Sequence, residues 1–333
     1  MAVTLSWGGP GTFPQRYEAG RRQLEETFGV ELVAAPHALR SAEWIDRHPE
    51  ARAEDLMAAF EDPQIRAIIS SIGGDDSIRI LPHLDLDVLR KNPKIFLGYS
   101  DTTVTHLACF QAGLVSFYGP AIMAGFAENG GLHSYFVDSV RRTLFQADAI
   151  GQLHPNTDGW TAEFLDWGEP TYQERPRKLR PSTGWNFVQG EGTVTGPLLG
   201  GCFDVLEFLL GTPVWPSLDR WRGAVLFLET SEEGPPPERV VRFLRNLRAQ
   251  GILEGLAGIL FARPGGGIDP KDFPNFDDGL RRVVAQEMGR EDLPIVTGLD
   301  FGHTDPMFVV PYGVPCQIDC EAETLSIPTN AVE

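Results

Sequence analysis

The chain has 333 residues, of which 42% are hydrophobic, and its formal net charge at pH 7 is −18. This acidic balance disfavours binding to nucleic acids and to anionic membranes, because phosphates and lipid headgroups carry the same sign of charge. All apolar runs fall well short of the ~20 residues that a membrane-spanning helix needs. We therefore expect a globular protein with no nucleic-acid or membrane partner and enough residues for two domains.

The N-terminus and the cysteines indicate the compartment. The first residues, MAVTLSWGGPGTF, contain no basic segment followed by an apolar one, so we expect no signal peptide and a cytoplasmic protein. The four cysteines, at positions 109, 202, 316 and 320, form no CxxC pair and no metal-like cluster. We expect reduced thiols, no bound metal and no cofactor.

The first half of the chain alternates between predicted strands and helices. The predicted strands are 2–7, 30–34, 66–71, 95–97 and 115–119. The predicted helices are 14–28, 41–60, 77–81, 104–111 and 134–145. This alternation predicts a parallel sheet covered by helices, with its site at the carboxyl ends of the strands. The glycine-rich loop 8–12 lacks the G-x-G-x-x-G pattern, so a dinucleotide-binding fingerprint is not supported.

The middle of the chain, 151–184, has weak signals for regular structure. It contains several prolines, a basic RPRKLR run and several tryptophans. We interpret 151–188 as a connection between an N-terminal domain, 1–150, and a C-terminal domain, 189–333. Aromatic residues in such a loop usually fix it to the protein body, and the alternative is a flap that covers the substrate.

The second half of the chain continues with shorter predicted elements. The predicted strands lie within 190–199, at 224–228, 256–261 and 294–297, and in the tail 316–328. The predicted helices are 200–210, 237–250 and 276–288.

Ser100 is the candidate nucleophile. It follows the apolar run Ile95–Leu97 within KIFLGYSDTT, at the point where a buried strand should end and a helix begin. A serine on a sharp strand-to-helix turn has the geometry of a nucleophile elbow. The usual elbow is G-x-S-x-G, and here Thr102 replaces the second glycine. A plain helix cap, formed with Asp101, Thr102 and Thr103, is therefore the alternative.

Glu229 and His303 are the candidate partners of Ser100. A serine hydroxyl needs a base within hydrogen-bonding reach, and a carboxylate on the second imidazole nitrogen fixes the tautomer of that base. Glu229 ends the apolar run AVLFL, and His303 lies in the loop DFGHTDPM. The alternatives are a surface histidine in a loop and an ordinary acidic strand end, and Glu232 and Glu233 compete with Glu229 as the acid.

The loop Gly73–Gly74 is the candidate second oxyanion donor. Glycines let backbone N–H groups approach a substrate closely, although a simple turn explains the loop equally well. The order of a strand, the sequence GGD and then a hydroxyl residue also resembles the phosphate-binding loop of NAD kinases and lipid kinases. In those kinases a glycine stands where this chain has Asp76, whose carboxylate would repel phosphate.

Five motifs together resemble the LD-carboxypeptidase family of serine peptidases. They are IGGDDSIRILPHLD, GYSDTT, LLGGC, LFLETSEE and DFGHTDPM, and they occur in the family's order over nearly the whole chain. The resemblance implies a Ser-His-Glu triad of Ser100, His303 and Glu229, with an oxyanion hole formed by the amides of Gly74 and Asp101. It also implies a cytoplasmic, metal-independent homodimer. The implied fold is an α/β chain, with a Rossmann-like or amidotransferase-like N-terminal domain and a smaller β-rich C-terminal domain.

The family contains two broad activities, which leave the substrate open. One releases D-Ala from murein tetrapeptides, and the other, microcin C immunity, cleaves an aspartyl group from a modified nucleotide. The ETSEE run, the prolines after it and the tryptophan-bearing connection resemble the immunity branch. The expected partner is thus a small peptide or a peptidyl-nucleotide, with Trp185 first and Trp167 second as aromatics that stack on the nucleobase. The alternative of another class is a non-catalytic binding protein.

Overall fold

The computed structural model describes all 333 residues, and the chain divides into two compact units of similar length. Unit 1 comprises Met1–Phe145, Glu163–Lys178 and Pro306–Val310. Unit 2 comprises Gln146–Ala162, Leu179–Asp305 and Pro311–Glu333. The predicted connection 151–188 therefore contributes residues to both units.

Unit 1 contains a parallel sheet. Its strands are β1 (Ala2–Val3), β2 (Ala67–Ser70), β3 (Ile95–Gly98) and β4 (Ser116–Tyr118), and they lie side by side in that order. Each neighbouring pair is parallel. The α-helices of this unit are α1 (Gly9–Thr12), α2 (Pro14–Phe28), α3 (Ala42–Arg47), α4 (Pro49–Glu61), α5 (Leu86–Lys91), α6 (Thr103–Ala112) and α7 (Ser134–Leu144). Three 3₁₀ turns, Ser77–His83, Ser100–Thr102 and Pro170–Glu174, complete the regular structure.

Two predicted elements of unit 1 are wrong. The segment 30–34 forms no strand, because β1 has only two residues and accepts a single bridge, from Ala34 to Ala2. The predicted helix 41–60 is two helices, and the break falls at His48, whose φ of −130° and ψ of 62° are not helical. Pro49 causes this break, since a residue before proline avoids helical backbone angles and proline itself suits the first position of the next helix.

Unit 2 contains a mixed sheet of eight strands. In chain order they are β5 (Gly151–Leu153), β6 (Asn186–Gln189), β7 (Thr193–Cys202), β8 (Val225–Glu229), β9 (Gly258–Ala262), β10 (Ile295–Leu299), and, after β11 (Val310–Tyr312), β12 (Pro315–Asp319) and β13 (Thr324–Ile327). Across the sheet the order is β5-β13-β12-β7-β8-β9-β10-β6, and β11 is the edge strand next to β4 in the first sheet. Strands β7 to β10 are parallel, and their carboxyl ends share one edge.

The helices of unit 2 are fewer. They are α8 (Phe203–Leu209), α9 (Leu218–Trp221), α10 (Pro237–Ala249) and α11 (Phe273–Arg281), with a π-helical turn at Arg282–Glu287 and 3₁₀ turns at Leu253–Gly255 and Pro270–Asp272. The predicted helix 200–210 starts three residues late, because Gly200, Gly201 and Cys202 extend β7. Gly200 is required there, since a methyl group on it would lie 1.7 Å from the Phe227 carbonyl oxygen of β8.

Each unit has its own apolar core. In unit 1, fully buried residues such as Leu5, Phe60, Ile68 and Phe96 pack the helices onto the sheet. In unit 2, strands β8 and β9 are buried along their whole length, which fits central parallel strands covered on both faces. None of the helices combines the length and the apolar character that crossing a membrane requires.

Candidate active site

Ser100 occupies a strained turn between β3 and α6. Its φ is 62°, and Glu323 is the only other non-glycine residue with a positive φ. Such left-handed backbone costs an L-amino acid roughly 1–2 kcal/mol, so it persists only where the surroundings impose it. A strained serine between a strand and a helix is the backbone geometry of a nucleophile elbow.

Hydrogen bonds hold this turn in place. The Ser100 N–H donates to the Tyr118 hydroxyl at 3.0 Å, and the Thr103 hydroxyl donates to the Ser100 carbonyl oxygen at 2.7 Å. The Thr102 hydroxyl donates to the Tyr99 carbonyl oxygen at 2.8 Å and does not cap α6. The hydroxyl residues after Ser100 thus stabilise the turn rather than the helix terminus.

The loop Gly73–Gly74 lies against the Ser100 side chain. It follows β2, which pairs in parallel with β3, so both loops leave the same edge of the sheet. A methyl group on Gly73 would lie 3.1 Å from both Cβ and Oγ of Ser100. Gly74 has a φ of 148°, and a methyl group there would lie 2.2 Å from the Ser6 hydroxyl. Only glycine therefore allows the backbone to come this close to the hydroxyl.

A buried arginine fixes the end of this loop. Arg52 is fully buried and donates to both carboxylate oxygens of Asp76, at 2.7 and 3.2 Å, and to the Leu5 carbonyl oxygen at 3.1 Å. Burial alone would raise the pKa of Asp76, but hydrogen bonds from Arg52 and Arg79 lower it. The aspartate that distinguishes this loop from a kinase loop is thus half of a structural ion pair.

Asp101 is also held by its neighbours. Its carboxylate accepts the Ser77 N–H at 2.8 Å, and its carbonyl oxygen accepts the Ser77 hydroxyl at 2.7 Å. The side chain is fully buried, and burial raises the pKa of its carboxyl group. These bonds fix the backbone of the residue whose N–H is the second predicted oxyanion donor.

Glu229 and His303 form a hydrogen-bonded pair in unit 2. Glu229 is the last residue of β8 and is fully buried, and His303 follows β10, which β9 separates from β8. His303 Nδ1 lies 2.6 Å from Glu229 Oε2. Burial alone would lower the pKa of His303, but Glu229 and then Glu232 raise it to about 10.

Glycine makes the close approach of these two residues possible. Gly302 has a φ of 83°, and a methyl group on it would lie 2.7 Å from Cβ and Oε2 of Glu229. Gly265, in the loop after β9, would place a methyl group 2.7 Å from His303 Cβ. Gly302, the glycine of the G-H-T motif, is therefore required so that Glu229 can pack close enough to bond His303.

The two candidate tryptophans belong to different units. Trp167 of unit 1 stacks on Trp7, with ring centroids 6.4 Å apart, and the Arg16 guanidinium lies 5.0 Å from its centre. A cavity of about 300 Å³ borders Trp167 and Arg16. Trp185 of unit 2 donates its indole N–H to Asp300 at 2.8 Å. Asp300 is fully buried and also pairs with Arg263.

The structure thus groups the predicted residues in two sets. Ser100, Asp101 and the loop Gly73–Gly74 lie together in unit 1, and Glu229 and His303 lie together in unit 2. Sequence reasoning missed the Tyr118 hydroxyl, although parallel pairing of β3 with β4 places Tyr118 opposite Gly98. It also missed Arg52, because nothing in the sequence of a helix shows that one of its arginines is buried and pairs with Asp76.

Comparison with known families identifies both parts of the chain. The LD-carboxypeptidase N-terminal domain matches residues 1–119, and the LD-carboxypeptidase C-terminal domain matches residues 195–318. A Vibrio cholerae protein named "Putative carboxypeptidase" is 32% identical over 96% of this chain and 92% of its own length. The microcin C7 self-immunity protein MccF of Escherichia coli is 29% identical over 83% of this chain and 77% of its own length. The probable murein peptide carboxypeptidase of Bacillus subtilis is 27% identical over 96% and 89%.

Solved structures show the same fold. The MccF-like protein of Streptococcus pneumoniae, in complex with AMP, has a TM-score of 0.87 and 32% identity, and the match covers 98% of this chain and 97% of that one. MccF in complex with aspartyl sulfamoyl adenosine has a TM-score of 0.83 and 26% identity, over 100% and 96% of the two chains. These matches confirm the predicted two-part α/β fold. The chain belongs to the LD-carboxypeptidase family and is a serine-type carboxypeptidase.

Proposed function

We propose that Ser100, His303 and Glu229 form a catalytic triad that hydrolyses an amide bond at the carboxyl end of a small substrate. Neutral His303 takes the Ser100 proton on Nε2 while Oγ attacks the carbonyl carbon. The Nε2 proton then passes to the leaving nitrogen as the amide bond breaks. In the second half, water attacks the acyl carbon and gives its proton to His303 Nε2. That proton passes to Ser100 Oγ as the ester bond breaks and the carboxylic acid leaves. Glu229 holds Nδ1 throughout.

The observation that carries this proposal is the strained backbone of Ser100, with its φ of 62°. A plain helix cap has extended backbone angles and needs no left-handed residue. The buried Glu229–His303 pair, 2.6 Å between Oε2 and Nδ1, supplies the acid and base that such a serine needs.

The amides of Gly74 and Asp101 are the proposed oxyanion hole. Support comes from the close approach of the glycine loop to Ser100 Oγ and from the bonds that fix the backbone of Asp101 through Ser77. Donors that are fixed before reaction stabilise a developing oxyanion without reorganisation.

The first proposed substrate is an aspartyl-nucleotide conjugate. It is supported by the AMP and aspartyl sulfamoyl adenosine found with the two MccF-like structures. Trp167 is a better candidate than Trp185 for stacking on the base. Trp167 stacks on Trp7, whose N–H donates to the Gly73 carbonyl oxygen at 3.2 Å, so it connects to the loop beside Ser100. The Trp185 indole is committed to Asp300.

The second candidate substrate is a murein tetrapeptide ending in D-Ala. It is supported by the Bacillus subtilis relative that is named as a murein peptide carboxypeptidase. The homodimer, the cytoplasmic location and the domain boundaries at 150 and 189 stay predictions.

A paired turnover assay tests the proposal. Purified protein is incubated with aspartyl sulfamoyl adenosine or with a murein tetrapeptide, and Ser100→Ala is the control. Cleavage of the nucleotide conjugate alone supports the first substrate, and cleavage of the tetrapeptide alone supports the second. Equal turnover by Ser100→Ala would refute the triad. Stable binding without turnover of either compound would favour a non-catalytic binding protein.

A further inference from the structure

His303 contacts a second carboxylate besides Glu229. Its Nε2 atom lies 3.0 Å from Glu232 Oε2, while Nδ1 lies 2.6 Å from Glu229 Oε2. The two acids differ in exposure, because the Glu229 side chain is fully buried and the Glu232 side chain is 72% exposed. Nε2 is the atom that the proposed reaction uses, so Glu232 sits on the reactive side of the base.

The backbone of Glu232 is fixed, although its side chain reaches into solvent. Glu232 lies in a tight turn in which the Gly234 N–H donates to the Ser231 carbonyl oxygen at 3.3 Å. The Ser231 N–H donates to Asp204 at 3.0 Å. A methyl group on Gly266 would lie 2.6 Å from the Glu232 carbonyl oxygen, so a second loop packs closely on this turn. The turn therefore presents the carboxylate to His303 in a defined direction.

Two carboxylates favour the charged imidazolium, whereas a general base must be neutral. The pKa of His303 is raised to about 10, and the hydrogen bond to His303 lowers the pKa of Glu232 to about 2. Other charged groups on the neighbouring loops and helix include the pair of Asp300 with Arg263, and Arg239 with its partners Asp204 and Glu207. Asp305 and Glu233 lie next along the chain from the two loops that carry His303 and Glu232. An exposed carboxylate is weakly held, because water competes for it.

Resting on the proposed triad, we propose that Glu232 is a movable positioning residue that holds His303 protonated in the free enzyme and withdraws when substrate binds beside Ser100, before Oγ attacks. On withdrawal, His303 Nε2 gives its proton to solvent, and the imidazole becomes the neutral base for Ser100. The Nδ1 proton stays on the Glu229 side. Glu232 thus sets the proton affinity of His303 in the free enzyme and has less influence once substrate occupies the site.

Glu232→Gln tests this proposal, with Glu233→Gln as the matched control at the neighbouring exposed carboxylate. The first measurement is an NMR titration of the His303 imidazole in the free protein. We expect Glu232→Gln to lower the pKa of His303 by about one unit or more, since one ionic contact is removed. The second is the pH dependence of Ser100 labelling by an alkyl fluorophosphonate. Below its inflection the labelling rate should rise about tenfold in Glu232→Gln, and Glu233→Gln should match the wild type.

The results separate this proposal from the triad itself. If the pKa of His303 were the same in Glu232→Gln as in the wild type, the role of Glu232 would be overturned. The same would follow if that pKa shifted but the pH dependence of the labelling rate did not. The phosphonyl group that labelling leaves on Ser100 fills the place of the acyl part of a bound substrate. After labelling, the difference in the pKa of His303 between wild type and variant should therefore shrink, and an undiminished difference would overturn the withdrawal. If Ser100 were not labelled in any variant, the triad would fail, independently of the His303 titration.

Discussion

The two halves of the candidate site are built in different ways. In unit 1, Ser100 depends on backbone geometry, namely a left-handed residue, two glycines in the adjoining loop and hydrogen bonds with uncharged hydroxyls. In unit 2, His303 depends on charge, since two carboxylates contact its two nitrogens. We infer that the first half is sensitive to changes of shape and the second to changes of charge.

The largest effect should come from Ser100. We expect Ser100→Ala and Ser100→Gly each to reduce turnover by roughly 10⁴-fold or more, because the nucleophile is lost. Only Ser100→Gly should also raise the free energy of unfolding, by about 1 kcal/mol, because glycine tolerates a positive φ. Steady-state kinetics and urea unfolding measure the two quantities. Equal stability of the two variants would show that the turn is not strained.

A change of charge without a change of shape should be nearly as damaging in unit 2. We expect Glu229→Gln to reduce turnover by roughly 10³-fold or more, because an amide no longer favours the required tautomer and does not stabilise the imidazolium. The NMR titration of His303 should move to lower pH in the same variant. Near-normal turnover in a folded Glu229→Gln protein would point to Glu232 or Glu233 as the acid instead.

Gly73→Ala changes shape without changing charge. Its methyl group would lie 3.1 Å from Ser100 Oγ, so the loop or the serine must shift by a few tenths of an ångström. We expect a loss of turnover of about 10- to 100-fold, because small displacements near reacting atoms are costly. Gly255→Ala, whose methyl group would meet only the Arg222 side chain and Cα at 3.3 Å or more, is the control. Wild-type kinetics for Gly73→Ala would argue against an oxyanion role for this loop.

The two tryptophans should separate in substrate affinity. We expect Trp167→Ala to raise KM for aspartyl sulfamoyl adenosine by roughly 5- to 100-fold, since stacking of a base on an aromatic ring contributes about 1–3 kcal/mol. Trp185→Phe removes the bond to Asp300 and should lower stability by about 1 kcal/mol with little change in KM. A raised KM in Trp185→Phe with an unchanged KM in Trp167→Ala would indicate that Trp185 stacks on the base instead.

The last prediction concerns how the stability depends on pH. The pKa of His303 rises from its ordinary 6.5 to about 10 in the folded protein, so the folded state holds this proton more tightly. The resulting stabilisation is complete below about pH 6.5 and is lost as the pH rises toward 10. The difference in unfolding free energy between wild type and His303→Gln should therefore shrink over this range in urea titrations. A constant difference would mean that His303 is neutral in the folded protein.

The sequence was informative where local pattern decides structure. The apolar runs before Ser100 and Glu229 predicted the buried strands β3 and β8 and placed these two candidates where strands end. Pro49 should have divided the helix 41–60, because the rule for residues before proline is local.

Tertiary packing decided the rest. The bond between Glu232 and His303 depends on a turn and on a second loop that packs against it, neither of which has a sequence pattern. The same holds for Trp185, whose partner Asp300 is 115 positions away in the chain. Contacts between residues so far apart in the chain leave no pattern in the sequence. Without them, the sequence could not show which tryptophan stacks on a substrate and which one fixes the loop.

Locating the residue that reacts tests whether Ser100 is the nucleophile. The protein is treated with an alkyl fluorophosphonate and analysed by intact-mass measurement and peptide mapping, beside Ser100→Ala and His303→Ala. We expect one adduct, on Ser100, which is absent in Ser100→Ala and forms far more slowly in His303→Ala. An adduct on another residue, or labelling of Ser100 that does not depend on His303, would contradict it.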